Sequence, residues 1–287
     1  MRYRFMRFPE GKGKAVTFSY DDGSKHDVRL AEIFNKHNLK CTFNLNGEAL
    51  RADWDYCMST EEAKAILDAG HEIAIHGLEH RAPGTLRSVE GIKEILDCRR
   101  ELEKRYGRII RGYAYPDGGI SGFCNGATKE EVYGYLRGLD IAYARSLDEG
   151  NFNISLPDDW YDWHPTAHHG SEKIDNYIDA FLAIDRSPKG HPASDAVPLV
   201  FYVWGHSAEF SHDDSWSRIE YICGRLAGEK DVWYATNMEI YEYSKAYESL
   251  VWNAEGNMVY NPTLIDVWFD FDGKLFEVKS GQTLTLC

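Results

Sequence analysis

The sequence predicts an α/β protein built on a parallel sheet, open or closed into a barrel, with a small antiparallel β appendage at its C-terminal end. Three observations carry that prediction. Short apolar runs alternate with helical patterns seven times in succession, the signature of repeated βα units. Chemistry-bearing residues fall at the C-terminal ends of those runs, where such folds gather function. They are Asp21 and Asp22 after the first, His76 after the third, the Pro116 turn after the fourth and His206 after the sixth. From Val251 the pattern changes to short alternation around the turn signals Glu255-Gly256-Asn257 and Asp272-Gly273, which reads as β-hairpins. The expected division is residues 1–248 for the α/β body and 249–287 for the appendage.

The elements follow in order. Ala15 to Phe18 is an apolar run that reads as a buried strand and ends in Asp21-Asp22-Gly23. Val28, Leu30, Ala31, Ile33 and Phe34 recur at helical spacing, with Asn38 as a stop. Cys41 to Leu45 is the second strand. Ser59 and Glu62 form a capping box before a helix closed by Gly70. HEIAIH, residues 71–76, is the third strand, and a charged helix from Ser88 to Tyr106 ends at Gly107. RIIRGYAY runs as the fourth strand into Pro116-Asp117-Gly118-Gly119, and a helix closed by Gly138 leads to the fifth, DIAYAR. Residues 146–170 form a long irregular stretch rich in Asp, Trp and His, of the kind that carries function inside a compact domain. A helix, the sixth strand PLVFYVWGH, another helix and the seventh strand DVWYATN follow. Thr236 and Glu239 cap the last helix.

Composition narrows the function classes. The 287 residues are 43% hydrophobic, ample for a core, and 32 basic against 46 acidic residues give a net charge of −14. That balance disfavours binding to nucleic acid or to anionic membrane surfaces. No run has the length of a membrane span or of a signal peptide's apolar segment, so the expected location is cytoplasmic. None of the six cysteines forms a CxxC pair, so they read as buried or idle thiols.

The chemistry centres on AVTFSYDDG, residues 15–23. Two adjacent carboxylates at a strand mouth repel each other and lose hydration unless a cation or proton lies between them. One carboxylate with two imidazoles makes a divalent-metal site with open positions, and Asp22, His76 and His80 are the candidate ligands. Asp21, pointing the opposite way along an extended chain, is the candidate general base. The plainer alternatives are an Asx turn at Asp21, a core role for His76 and a turn cap at His80. His206 reads as a general acid, with a third metal ligand or a surface residue as alternatives. Trp160, Trp163 and Trp204 either stack on a ring or pack the sheet mouth. His164, His168 and His169 either line the site or are merely exposed.

In this order and at strand ends, FSYDDG, EIAIHGLEH, YAYPDGG and YVWGH resemble the polysaccharide deacetylase family, also called the NodB-homology or family-4 carbohydrate esterases. The resemblance spans roughly residues 14 to 248. It implies a distorted seven-stranded (β/α) barrel and removal of acetyl groups from N-acetylated or O-acetylated carbohydrate. The implied cofactor is a divalent metal, zinc first, with cobalt, nickel, manganese or iron as alternatives. It makes Asp21 the base, Asp22, His76 and His80 the ligands and His206 the acid. The turn from Tyr115 to Gly118 becomes a groove wall that supplies a backbone N–H to the oxyanion. The expected substrate contacts are Tyr115, Pro116, Asp117, Asp162, Trp163, His164 and Trp204, and the expected partner is a small molecule or oligosaccharide. The third motif departs from the family: Ala114 stands where an Arg is usual and Asp117 where a Tyr is usual. Arg111 is one replacement for that Arg. Asp159-Trp160 and Asp162-Trp163 both qualify as the pair whose Asp orients the acid. A small-amide or imide amidase and a catalytically silent carbohydrate-binding protein are the alternative functions.

Overall fold

The computed structural model describes residues 3–48, 56–120, 126–188 and 197–286. Its strands are β1 (Arg4–Arg7), β2 (Lys14–Asp21), β3 (Thr42–Leu45), β4 (Glu72–Ile75), β5 (Gly112–Ala114), β6 (Tyr143–Arg145), β7 (Ala167–His168), β8 (Leu199–His206), β9 (Val232–Tyr234), β10 (Val251–Trp252), β11 (Met258–Tyr260), β12 (Val267–Phe271), β13 (Lys274–Val278) and β14 (Thr283–Thr285). Its helices are α1 (His26–Lys36), α2 (Thr60–Asp68), α3 (Ser88–Tyr106), α4 (Lys129–Gly138), α5 (Ile174–Ala183), α6 (Ser207–His212), α7 (Trp216–Leu226) and α8 (Asn237–Glu248).

The parallel sheet runs β6-β5-β4-β3-β2-β8-β7, and β9 also pairs with β2. β2 is its pivot. One edge pairs with β8 over its whole length, from Lys14 opposite Leu199 to Asp21 opposite His206. The other edge is shared: β9 takes Lys14–Val16, and β3 takes Ser19 and Tyr20. Two strands on one edge splay the sheet, which accounts for its distortion. β6 and the segment leading to β7 share an isolated bridge between Arg145 and Trp163 and a hydrogen bond from the Ala144 N–H to the Trp160 carbonyl rather than a strand pairing, so the curled sheet stays open there as a half-barrel.

All eight residues of β2 are buried. Phe18 and Tyr20 face α1 and α6, packing on Phe34 and Phe210. Each fully buried side chain of this size contributes roughly 1.5–3 kcal/mol. The opposite face carries polar residues whose hydrogen bonds are met inside the sheet: Thr17 to Asn237 at 2.8 Å and Asn44 to Ser19 at 2.8 Å. Strand alternation therefore sets Asp21 on this polar inner face. The expected helix starts hold, with capping boxes at Ser59/Glu62 and Thr236/Glu239, and Gly107 closes α3 at φ 64°. A further box at Thr128/Glu131 starts α4.

Three elements were not foreseen: β1, β7 and α6. The appendage consists of two three-stranded antiparallel sheets, β1-β12-β13 and β10-β11-β14. The N-terminal strand thus pairs with the C-terminal region, Arg4 opposite Phe271. Arg7 and Asp270 form a fully buried ion pair at 3.3 Å, and losing one partner of such a pair costs about 3–5 kcal/mol. The Tyr243 hydroxyl of α8 donates to the Arg7 carbonyl at 2.6 Å and accepts the Trp268 N–H at 2.9 Å, tying both chain ends to the body. Among the described residues Cys41, Cys57 and Cys223 are free thiols, and Cys98 Sγ donates to the Leu45 carbonyl at 3.4 Å. Cys124 and Cys287 lie outside them. No described helix is long and apolar enough to cross a membrane.

Candidate functional site

Asp22, His76 and His80 come together, with one potential ligand atom from each within 4.8 Å of the others. Asp22 leaves β2 with φ 78°, and His80 ends its loop with φ 59°. Both are backbone states that L-residues rarely adopt and that concentrate at functional sites. Gly77, at φ 84°, folds the chain back after β4, and a Cβ there would lie 2.9 Å from the Glu94 carboxylate. That same oxygen accepts the N–H groups of Glu79 at 2.7 Å and Arg81 at 3.1 Å, pinning the loop on both sides of His80.

The protons in this cluster can be assigned. His76 Nδ1 donates to the Ala114 carbonyl at 2.9 Å, so neutral His76 presents its Nε2 lone pair to the cluster. That lone pair lies 3.6 Å from Asp22 Oδ1, and His80 Nε2 lies 3.5 Å from the same oxygen. Bonds of about 2.0–2.1 Å in a tetrahedral site put neighbouring donors roughly 3.4 Å apart. The donors are therefore spaced as ligands around an ion, and a lone pair facing a carboxylate is repulsive without one. Burial favours neutral His76, against the pull of Asp21 and Asp22.

Asp21 lies beside this cluster, its Oδ2 3.9 Å from His76 Nε2, but its hydrogen bonds are made elsewhere. Asn44 Nδ2 donates to its Oδ1 at 2.8 Å, and Arg145 Nη2 donates to Oδ1 and Oδ2 at 2.6 and 2.5 Å. Burial opposes its ionisation, but the charges of Arg145, His76 and His206 outweigh burial and hold its pKa below the ordinary carboxylate value. The guanidinium comes from the end of β6, not from Arg111. Arg111 instead binds the Asp140 carbonyl and carboxylate, both at 2.9 Å, at an exposed edge. Arg145 was missed, although a charged residue closing an apolar run is the same signal that singles out His206.

His206, opposite Asp21 in register, donates from Nδ1 to Glu209 Oε1 at 2.7 Å. Burial pushes its pKa down, but that bond and the charges of Asp21 and Asp22 push it further up, leaving it above the usual histidine value. Neither expected Asp-Trp pair orients it. Asp162 is held by Lys129 at 2.6 Å and His164 at 3.1 Å, and Asp159 accepts the Tyr161 N–H. Glu209, one helical turn beyond His206, is the orienting carboxylate.

The expected substrate contacts divide. Trp163 is 1% exposed and packed by Tyr143, Trp160 and Tyr202 at ring distances of 5.6, 5.1 and 4.9 Å. It offers no face to a ligand, which corrects its assignment. Trp204 is half-buried, with Nε1 on Asp148 at 2.7 Å and the Arg145 guanidinium 5.0 Å from its ring. Tyr115 is buried and its N–H donates to the Arg145 carbonyl at 2.9 Å, so that N–H is not free for an oxyanion. Pro116 has none, which leaves Asp117, at φ 52°, as the next donor in the turn. Asp162 and His164 line a polar cavity of about 350 Å³ with Lys129, Ser146, Asp148 and Glu149. On the other side, Asp22 and His80 open into a cavity of about 200 Å³ with Asn46, Tyr56, Cys57 and Leu78.

Comparison with known proteins agrees with the fold. Residues 9–132 match the model of the family described as polysaccharide deacetylase. The match contains Asp21 and the clustered Asp22, His76 and His80 but stops short of Arg145, His206 and Glu209. The chain is similar to a peptidoglycan deacetylase of Helicobacter pylori (strain ATCC 700392 / 26695), 27% identical over 88 residues. That alignment covers 31% of this chain and only 28% of the relative. In fold it is similar to a Mycobacterium smegmatis protein assigned as a polysaccharide deacetylase, with a TM-score of 0.59 at 18% identity, covering 84% of this chain and 93% of that one. It is also similar to a mutant, with restored enzymatic activity, of the Bacillus anthracis family-4 pseudoenzyme BA3943, with a TM-score of 0.50 at 18% identity, covering 83% and 70%. Residues 9–132, a little under half of the chain, thus carry the likeness to the polysaccharide deacetylase family.

Proposed function

We propose that the chain is a metal-dependent hydrolase that removes acetyl groups from N-acetylated or O-acetylated carbohydrate, with zinc as the metal. The observation that carries this reading is the placing of Asp21, bound by Arg145, opposite His206 in register across β2 and β8 beside the Asp22 cluster. Asp22, His76 and His80 would hold the metal, which when bound supplies Lewis acidity toward the acyl oxygen and a water of lowered pKa. Asp21 takes the proton of the attacking water. The Asp117 N–H is the backbone donor for the developing oxyanion. His206 gives its Nε2 proton to the departing nitrogen or oxygen as the C–N or C–O bond breaks, and Glu209 holds the imidazolium in place until then.

Acetate release from a panel of acetylated chito- and xylo-oligosaccharides by zinc-loaded protein tests the reading. Acetate should appear, and Asp21→Asn should abolish it with zinc still bound. Zinc bound without acetate from any acetylated sugar would overturn it. The departures at Ala114 and Asp117 favour a second reading, an amidase on a small amide or imide. Ammonia release without acetate would select that reading.

A further inference from the structure

Glu209 is reached by more than His206. His168 Nε2 lies 3.4 Å and His169 Nε2 3.1 Å from its Oε2, while His206 Nδ1 holds Oε1. Gly205 makes this possible. A Cβ there would stand 2.0 Å from His169 Nδ1 and 3.2 Å from His168 Nε2, so only a strand without a side chain at that point lets both rings pack on β8.

Geometry fixes the proton on each flanking ring. His168 Nδ1 accepts the Gly170 N–H at 3.1 Å, so the ring's proton sits on Nε2, facing Glu209. A second proton on Nδ1 would point into that N–H. His169 Nδ1 is buried without a hydrogen-bond partner, and the ring is clasped between Tyr20 and Phe210 at 5.7 and 4.2 Å. Charging it there would bury a second unpaired donor, so it too is a neutral donor through Nε2. His168, His206 and Glu209 bring potential ligand atoms within 4.8 Å of one another, as the Asp22 cluster does. Here, however, N–H groups face the carboxylate, one at a hydrogen-bond distance of 2.7 Å. A cation on His168 Nε2 would drive that proton onto Nδ1, against Gly170.

We infer that His168 and His169 are positioning residues, neutral imidazoles that hold one oxygen of Glu209 so that the other fixes His206 and leaves the cluster's single transferable proton on that ring. This deepens the proposed function, since it rests on His206 being the acid. The groups facing His206 are Asp21 and Asp22 from the end of β2, Asp27 from α1, Glu209 on its own helix, and His168 and His169 in and after β7. Arg145 lies beyond Trp204. Removing the His168 donor concentrates Glu209 on His206, so its proton is held more tightly and given up less readily.

The experiment compares His168→Gln, which keeps a neutral N–H donor near the same place, with His168→Phe in the zinc-loaded full chain, reading kcat and KM against pH together with bound zinc. The Gln variant should keep kcat within a few-fold and leave the alkaline limb in place. The Phe variant should lose about tenfold in kcat, the scale of one hydrogen bond to a charged group, with its alkaline limb moved to higher pH and KM and zinc content unchanged. A Phe variant with the wild-type profile overturns the inference. So does a Gln variant as impaired as Phe, which would demand a charge or a ligand at His168, or the loss of a bound zinc from either. His206→Ala, run in parallel, separates the two failures: turnover in that variant overturns the acid assignment and this inference together, whereas an inactive His206→Ala beside an unaffected His168→Phe overturns this inference alone.

Discussion

Asp22 lies between two imidazoles and Glu209 among three, at the same mouth of the same sheet, yet the protons are arranged oppositely. Around Asp22, the Ala114 carbonyl draws the His76 proton to the far nitrogen, so a lone pair faces the carboxylate at 3.6 Å. Around Glu209, the Gly170 N–H draws the His168 lone pair to the far side, so an N–H faces the carboxylate. Composition does not separate a cation site from a proton site. The partner of each ring's distal nitrogen does, and here that partner is a main-chain group set by strand and turn geometry.

The largest effects should fall on the first cluster. His80→Ala and Asp22→Ala should each lose bound metal and lower turnover about a thousandfold or more, the scale of several kcal/mol of charge stabilisation. Elemental analysis that finds full metal in His80→Ala would break the comparison. Glu209→Gln should keep its metal and lose about 10²-fold, within the range for a disturbed general acid, with the alkaline limb moved to lower pH because the charge that favours the imidazolium is gone. Metal lost from this variant would mean that the second cluster grips a cation after all.

The pH profile sharpens the same distinction. As the proposed base Asp21 must be ionised; burial opposes this, but Arg145, His76 and His206 hold its pKa down. At saturating metal its limb should therefore lie below the ordinary aspartate value of about 3.9. As the proposed acid His206 must be protonated; burial lowers its pKa, but Glu209, Asp21 and Asp22 raise it further. Activity should accordingly persist above the ordinary histidine value of about 6.5 before it falls with rising pH. An alkaline limb at or below that value would remove Glu209 as the orienting partner.

What could be read from the sequence follows the range of the interaction. Capping boxes such as Ser59/Glu62 close within four residues and were legible. So was the clustering of Asp22, His76 and His80, because strand ends of a parallel sheet share one rim. Arg145 was not, because it meets Asp21 across 124 residues, and no local pattern records which strand end will face which. Glu209 is three residues from His206, but its role needs α6, a six-residue helix too short to show periodicity. Which N–H of the Tyr115–Gly118 turn is free was hidden for a related reason: that of Tyr115 is taken by the Arg145 carbonyl, a strand pairing that becomes visible only once β5 and β6 are neighbours.

The smallest predicted effect concerns a buried carboxyl outside both clusters. Asp27, in the first turn of α1, is fully buried. It faces Ser207, yet neither carboxyl oxygen nor the hydroxyl closes a hydrogen bond. Burial, and then the charges of Asp22 and Asp21, push its pKa well above the ordinary value, so the folded chain keeps a proton there that the unfolded chain releases. Folding then binds one proton more, and stability falls as pH rises. The contribution is fully present below the unfolded value of about 3.9 and is lost as pH climbs through the raised folded value. Asp27→Asn keeps the shape and removes the titration. Its melting temperature should exceed that of the wild type at pH 7 to 8, and the two should converge near pH 4. A difference that stays constant over that range would mean that Asp27 is ionised when folded, and the proton it is assigned would have to be replaced by a buried positive charge.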